Sequence, residues 1–286
     1  MRAREPDSSG FIERDGVVLH YEVSGDGKPT VMMLPTWSIV HSGVWKAQIP
    51  FLARHFRVVT FDGRGCGRSG RPAGAGAYLH EQFADDALAV LDGTGTDTAV
   101  LVAVSSGARW GIHLAAEHSE RVLGVVSIGS NTPLVPDHLG RPPAPSWVKP
   151  DSPYWEQDFS GFIEFFMERM FTEPHSTKPI EDAIEWGLDI GPITLSDTYR
   201  GIHLTDPQWF RMACNRLCCP VLVIHGDEDA IRPHASGVAL AEATNGQLVT
   251  IAGGGHAPNL RDPVVVNRLI REFVDSVALP DMAGYR

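Results

Sequence analysis

Six short apolar runs constrain this chain more than any other feature. Thr30–Leu34, Arg57–Phe61, Ala99–Ala103, Val122–Ile128, the run from Pro220 into Gly226, and Gln247–Ile251 are each five to seven residues long. Most are apolar at consecutive positions instead of alternating, which is the pattern of strands buried on both faces of a parallel sheet. Helical spacing fills the intervals. Phe83, Ala84, Ala87, Leu88 and Leu91 recur on one face and Gly93 marks a stop. Val44 to His55 reads as a further helix. A last helix has Asp262 as N-cap, Pro263 at its first position, and Val266, Leu269, Ile270, Phe273 and Val277 on one face. Val17–Val23 alternates and reads as a half-buried strand before the turn Gly25-Asp-Gly27. Strands alternating with helices predict an α/β class fold, with a mostly parallel sheet covered by helices on both faces.

The rhythm breaks between residues 131 and 217. Prolines crowd Pro133 to Pro150, and helical periodicity follows through Phe159, Phe162, Ile163, Phe166 and Met170, then Ile180, Ala183, Ile184 and Leu188. The organisation expected is a core of residues 11–130 and 218–280, an inserted helical cap over 131–217, and flexible termini at 1–10 and 281–286. Most of the insertion's aromatics suit the cap's own core. Trp155, Phe165 and Trp186 lie off the main stripe and are candidates to face a substrate.

The formal charge of −11 over 286 residues argues against nucleic acid as a partner, because phosphates call for a basic footprint. The first ten residues are polar, and no run is long enough to span a bilayer, so a cytoplasmic location is expected. Four cysteines do not suggest a disulfide framework. Cys218 and Cys219 read as small buried hydrophobes.

The chemistry concentrates at Val102-Ala103-Val104-Ser105-Ser106-Gly107-Ala108, between a strand-like and a helix-like segment. A serine on a tight strand-to-helix turn needs small neighbours two positions away on either side, because the flanking segments crowd together. Ala103 and Gly107 supply them for Ser105. Ser106 would place Val104 in the crowded position. A helix N-cap serine is the plain alternative. Two further segments bear on the choice: His225-Gly226-Asp227-Glu-Asp229 after a strand, and Gly253-Gly-Gly-His256-Ala-Pro258 after another. Serine, then acid, then histidine, each following a strand, is a chain order used for nucleophilic catalysis.

With Asp62-Gly-Arg64-Gly65-Cys-Gly67-Arg-Ser69 and Glu117-His118-Ser-Glu120-Arg121-Val122 added, the chain from about Phe11 to Val277 resembles the α/β-hydrolase superfamily. The resemblance implies Ser105, Asp229 and His256 as catalytic triad, with Asp227 as the weaker acid candidate. It also implies an oxyanion hole from the backbone N–H groups of Trp37 and Ser106. The chain departs from the family at Pro35-Thr36, where His-Gly is frequent. Proline lacks an N–H and threonine lacks glycine's freedom. Asp62 and Arg64 are expected to fix a turn by local bonding. His225 reads as a structural strand-end residue, and His41 and Arg109 as residues near the mouth.

The expected activity is cofactor-independent hydrolysis of a carboxylic ester, lactone or thioester of a small, partly apolar or aromatic substrate. Activity should fall at acid pH as His256 takes a proton. Carbon–carbon bond hydrolysis and acyl transfer are alternatives on the same triad; Ala257, where the family's carbon–carbon hydrolases carry tryptophan, disfavours the former. Epoxide hydrolases and dehalogenases of this fold use an aspartate where Ser105 stands. A ligand-binding or signalling protein with slow turnover is the alternative of another class. No metal-ligand spacing and no dinucleotide-binding glycine motif is present, so neither metal nor cofactor is expected.

Overall fold

A computed structural model describes residues 4–136 and 158–278. Among these residues the strands are β1 (Ser8–Arg14), β2 (Val17–Ser24), β3 (Thr30–Met33), β4 (Arg57–Phe61), β5 (Ala99–Val104), β6 (Val122–Ile128), β7 (Val221–Gly226) and β8 (Gln247–Ile251). They form one sheet in the order β1-β2-β4-β3-β5-β6-β7-β8. β1 and β2 pair antiparallel, β2 meets β4 antiparallel, and every later pairing is parallel. The helices are α1 (Ile49–Leu52), α2 (His80–Gly93), α3 (Gly107–Glu117), α4 (Phe159–Met170), α5 (Thr177–Leu188), α6 (Pro192–Ile202), α7 (Pro207–Asn215), α8 (Ala235–Thr244), α9 (Pro258–Arg261) and α10 (Pro263–Ala278).

All six residues of β5 are buried, because the sheet is covered on both faces. Val100, Val102 and Val104 join one core with Trp45, Leu52, Val266 and Ile270. Leu101 and Ala103 join the other with Ala84, Ala87, Ala108, Ile112 and Leu240. The first core continues without a break into Phe162, Ile163 and Met167 of α4 and Leu195 of α6. The helices inserted between β6 and β7 thus share buried surface with the C-terminal ends of the central strands. Local capping starts two of them: the Asp158 carboxylate accepts from the Gly161 N–H at 3.0 Å, and Asp206 accepts from Gln208 at 2.9 Å before Pro207.

Three expectations need correction. The segment 44–55 is not one helix: a 3-10 turn over Ser42–Trp45 precedes α1, and the buried Gln48 between them is held by the Asn259 carbonyl and the Asn267 side chain. Residues 8–10 are not a flexible end, since Ser8, Ser9 and Gly10 pair with Val23, Glu22 and Tyr21. Gly10 permits this pairing, because a Cβ there would meet the Tyr21 hydroxyl at 2.7 Å. The cysteines are all free, and Cys218 is exposed and Cys219 half-buried, unlike Cys66 and Cys214. The expectations for Trp155, for most of the proline-rich stretch and for 281–286 lie outside the described residues. No helix among those described is long and apolar enough to cross a membrane.

Arg64 also does more than fix its own turn. Its guanidinium donates through Nε and Nη2 to Asp86 on α2, both at 2.7 Å, and through Nη1 to the Ala77 carbonyl. Both partners of this ion pair are buried. The Arg14 Nε also donates to the Asp86 Oδ1 at 2.8 Å, so Arg64→Ala leaves the carboxylate one charged partner. Losing the charge-assisted bonds from Arg64 costs about 2 kcal/mol, and the melting temperature of Arg64→Ala is expected to fall by roughly 4–8 °C, readable by calorimetry.

Candidate active site

Ser105 follows the last residue of β5 and precedes α3. Its φ is +53°, a left-handed conformation that side chains rarely adopt. Bonds on both sides hold it there. Its N–H donates to the Ile128 carbonyl at 2.8 Å, and its carbonyl accepts from the Asn131 N–H at 3.1 Å. The crowding read from the sequence is real. A Cβ on Gly107 would lie 2.6 Å from the Pro35 carbonyl oxygen and 3.4 Å from the Ala103 side chain. Gly107→Ala is expected to lower the melting temperature by roughly 3–10 °C, since the obstacle is backbone and cannot swing away.

Three strand ends deliver one line of hydrogen bonds. The His256 Nε2 lies 3.0 Å from the Ser105 Oγ, and its Nδ1 lies 2.7 Å from the Asp229 Oδ2. The ring is 2 % exposed. Its loop follows β8 and passes tightly over Gly129, where a Cβ would meet the His256 carbonyl oxygen at 2.3 Å. The His256 N–H donates to the Met170 carbonyl at 3.0 Å, so the end of α4 also fixes the histidine loop. An Nδ1–H donated to Asp229 leaves the Nε2 lone pair facing the serine hydroxyl.

Asp229 is committed to its charged form. Its Oδ1 accepts from the Ile231 and Arg232 N–H groups, each at 2.8 Å. Its Oδ2 accepts from His256 and lies 3.2 Å from the His225 Nε2. Burial pushes the carboxyl up. The charge of His256 and the bonds from His225 and His256 outweigh that and hold it well below the usual carboxylate range. Asp227 instead accepts from the Gly253 N–H at 2.6 Å on an exposed edge and is not in the line.

The two amides expected of an oxyanion hole are buried and unspent. Among the described residues neither the Trp37 nor the Ser106 N–H donates to a protein acceptor. Buried amides are normally paired, so two unspent donors are consistent with the expected oxyanion hole. The Asn131 Nδ2 donates to the Ser106 side-chain Oγ at 3.1 Å.

Other expected site residues are placed differently. Arg109 is not at the mouth. It is buried, with Nε to the Asn131 carbonyl, Nη2 to the Asn131 Oδ1 and Nη1 to the Ile202 carbonyl. Burial lowers it to about 10. His41 and Trp186, with rings 5.6 Å apart, line a groove of about 700 Å³ shared with Lys46, Asp62, Arg68 and Asp182. None of Ser105, Asp229 and His256 lines that groove. Phe165 packs under the Arg169 guanidinium at 5.5 Å. The aromatics that meet the loop of Trp37 are Phe166 and Tyr199, with centroids at 5.4 and 5.9 Å. Residues missed in the sequence are His225 as a second partner of Asp229, and Asn131 and Met170. Asn131 stands where the strand rhythm breaks and no motif marks it, and Met170 read only as part of the insertion's apolar face. Among the described residues no three His, Cys, Asp or Glu side chains converge as a metal-ligand set.

This geometry can move a proton from a serine hydroxyl to an imidazole. Known proteins resemble this chain in sequence and in fold. The chain is 27% identical over 268 residues to the pimeloyl-[acyl-carrier protein] methyl ester esterase of Xanthomonas oryzae pv. oryzae, covering 91% of this chain and 100% of that one. It is 27% identical over 280 residues to a bifunctional esterase/perhydrolase of Acinetobacter calcoaceticus, covering 93% and 100%. The enol-lactonase from Burkholderia xenovorans LB400 superposes with a TM-score of 0.81 over 93% of this chain and all of that one, at 22% identity, a likeness of fold. The family model described as alpha/beta hydrolase fold matches residues 29–263. Strand order, insertion point and matched span together place this chain in the α/β-hydrolase fold family.

Proposed function

We propose that the protein is a serine hydrolase of carboxylic esters that works through an acyl-enzyme. The observation that carries this reading is the unbroken line from the Ser105 Oγ through His256 to Asp229. Ser105 attacks the ester carbonyl carbon as His256 Nε2 takes its proton. The carbonyl oxygen becomes an oxyanion between the N–H groups of Trp37 and Ser106. Asp229 holds the imidazole tautomer and offsets the imidazolium charge. The imidazolium then protonates the departing alkoxide, leaving an ester on Ser105. Water enters and attacks the acyl carbon as His256 takes its proton; the bond to the Ser105 Oγ breaks, His256 returns the proton to that oxygen, and the acid leaves. The ester-cleaving relatives support the reaction class.

The substrate is a small molecule with an apolar or aromatic portion. The indole of Trp37 and the rings of Phe166 and Tyr199 beside the oxyanion loop support this. The insertion over residues 131–217 acts as the cap that encloses the acyl portion of the substrate. The test is a panel of aryl esters of increasing acyl length, with a fluorophosphonate probe run beside it. Turnover with a clear length optimum, and labelling at Ser105, are expected. A folded protein that neither labels nor turns over any ester would move the reading to a binding role.

A further inference from the structure

The loop that offers the Trp37 N–H is anchored at its flanks by the core. Leu34 donates to the Val102 carbonyl at 2.8 Å, and the Trp45 indole donates to the Leu34 carbonyl. The Ser38 Oγ donates to the Arg64 carbonyl at 2.8 Å. Between those anchors lie Pro35, Thr36 and Trp37. Pro35 has no N–H, and the buried Thr36 Oγ1 finds no partner. Two hydrogen bonds are described for these three residues. One is internal, from the Val40 N–H to the Trp37 carbonyl at 3.2 Å. The other leaves the loop: the Trp37 Nε1–H donates to the Thr198 Oγ1 on α6 at 2.9 Å.

Thr198 is built as a fixed post. It is fully buried, and its own hydroxyl proton goes to the Leu195 carbonyl at 3.0 Å, which turns its lone pairs toward the indole. Its helix is docked firmly. The Asp197 Oδ2 accepts from the Gly74 N–H at 2.7 Å, and Arg109 donates to the Ile202 carbonyl at 2.7 Å. Gly201 lies so close to the 75–78 segment that a Cβ would meet the Ala75 and Tyr78 carbonyl oxygens at 2.6 Å. Phe166 and Tyr199 close on the same indole edge to face.

We propose that Thr198 is a positioning residue for the oxyanion hole: its hydroxyl grips the Trp37 side chain and so fixes the direction of the Trp37 backbone N–H. The proposal rests on the reading of that N–H as an oxyanion donor. It makes the hole a joint product of the core, which supplies Ser106, and the insertion, which aims Trp37. A donor aimed wrongly by a fraction of an ångström fails the transition state while leaving ground-state binding intact.

The experiment compares wild type, Thr198→Val, Thr198→Ser, Trp37→Phe and the Trp37→Phe/Thr198→Val double variant, using an aryl ester at saturation and a fluorophosphonate probe. Thr198→Val keeps the shape and removes the acceptor; kcat is expected to fall roughly tenfold to a hundredfold with KM within about twofold. Thr198→Ser keeps the hydroxyl and is expected to restore most of the rate. Trp37→Phe removes the indole N–H and should lose about as much as Thr198→Val, and the double variant no more than either. Probe labelling at Ser105 should slow in parallel, since the phosphonyl oxygen occupies the same hole. Wild-type kcat in Thr198→Val, a loss carried by KM, or losses that multiply in the double variant each overturn the proposal while the hydrolase reading stands. Should Thr198→Val not fold, Trp37→Phe within twofold of wild-type kcat does the same. A wild type that neither labels nor turns over overturns the hydrolase reading, and this proposal with it.

Discussion

Ser105→Ala is expected to lower ester turnover by roughly a millionfold, to the residue left by binding and the oxyanion amides. The size follows from the line of hydrogen bonds. Without the Oγ, His256 has no nucleophile to deprotonate, and no acyl-enzyme can form. The same variant should melt close to wild type. Alanine keeps a Cβ, so the left-handed φ of +53° is neither relieved nor worsened, and the bonds to Ile128 and Asn131 run through the backbone. A small shift in melting temperature beside a complete loss of rate separates chemistry from folding. Initial rates and a thermal melt on the same preparation check both.

Asp229→Asn is expected to lower kcat by about ten thousandfold, and the reason is the direction the amide must take. The Ile231 and Arg232 N–H groups both point at the Oδ1 position and demand an oxygen there. The new NH2 is then forced into the Oδ2 position, facing the His256 Nδ1. The imidazole must accept on Nδ1 and carry its proton on Nε2, which can no longer take one from Ser105. His225 faces the same NH2 and cannot relieve the conflict by donating. The variant should also change acid stability. The wild-type carboxyl is held below its usual value, so the unfolded chain binds more protons in that range. Its stabilising contribution is complete above the ordinary value of 3.8 and is lost as pH falls toward the lowered one. The wild-type advantage in melting temperature over Asp229→Asn should therefore hold from neutral pH down to about pH 5 and shrink below about pH 4.

The strand ends were legible because burial on both faces writes continuous apolar runs. The tight turn at Ser105 was legible because only small residues fit at Ala103 and Gly107. The family resemblance ranked Asp229 above Asp227 without a physical reason. What separates them is the pair of backbone N–H groups two and three residues on, which hold Asp229 while Asp227 turns out to Gly253. β1 was hidden because an edge strand that faces solvent needs few apolar residues. The 44–55 segment carried helical spacing, yet the buried Gln48 spends its side chain on α9 and α10 and breaks the run. His41 and Arg109 were assigned as loop residues near the expected mouth, and Trp186 because it lies off the main apolar stripe of the insertion. Side-chain direction decides instead: Arg109 turns inward to Asn131 and Ile202, and the other two line a groove that Ser105, Asp229 and His256 do not line. The grip of Thr198 on Trp37 joins residues 161 positions apart, and nothing local in either segment signals it.

A covalent ester on Ser105 is what the mechanism requires. Rapid quenching during turnover of an aryl ester, followed by intact-protein and peptide mass spectrometry, looks for it. A burst of aryl alcohol is expected, together with a mass increase of one acyl group on the peptide carrying Ser105. Steady turnover with no burst and no adduct, retained in Ser105→Ala, would contradict the mechanism.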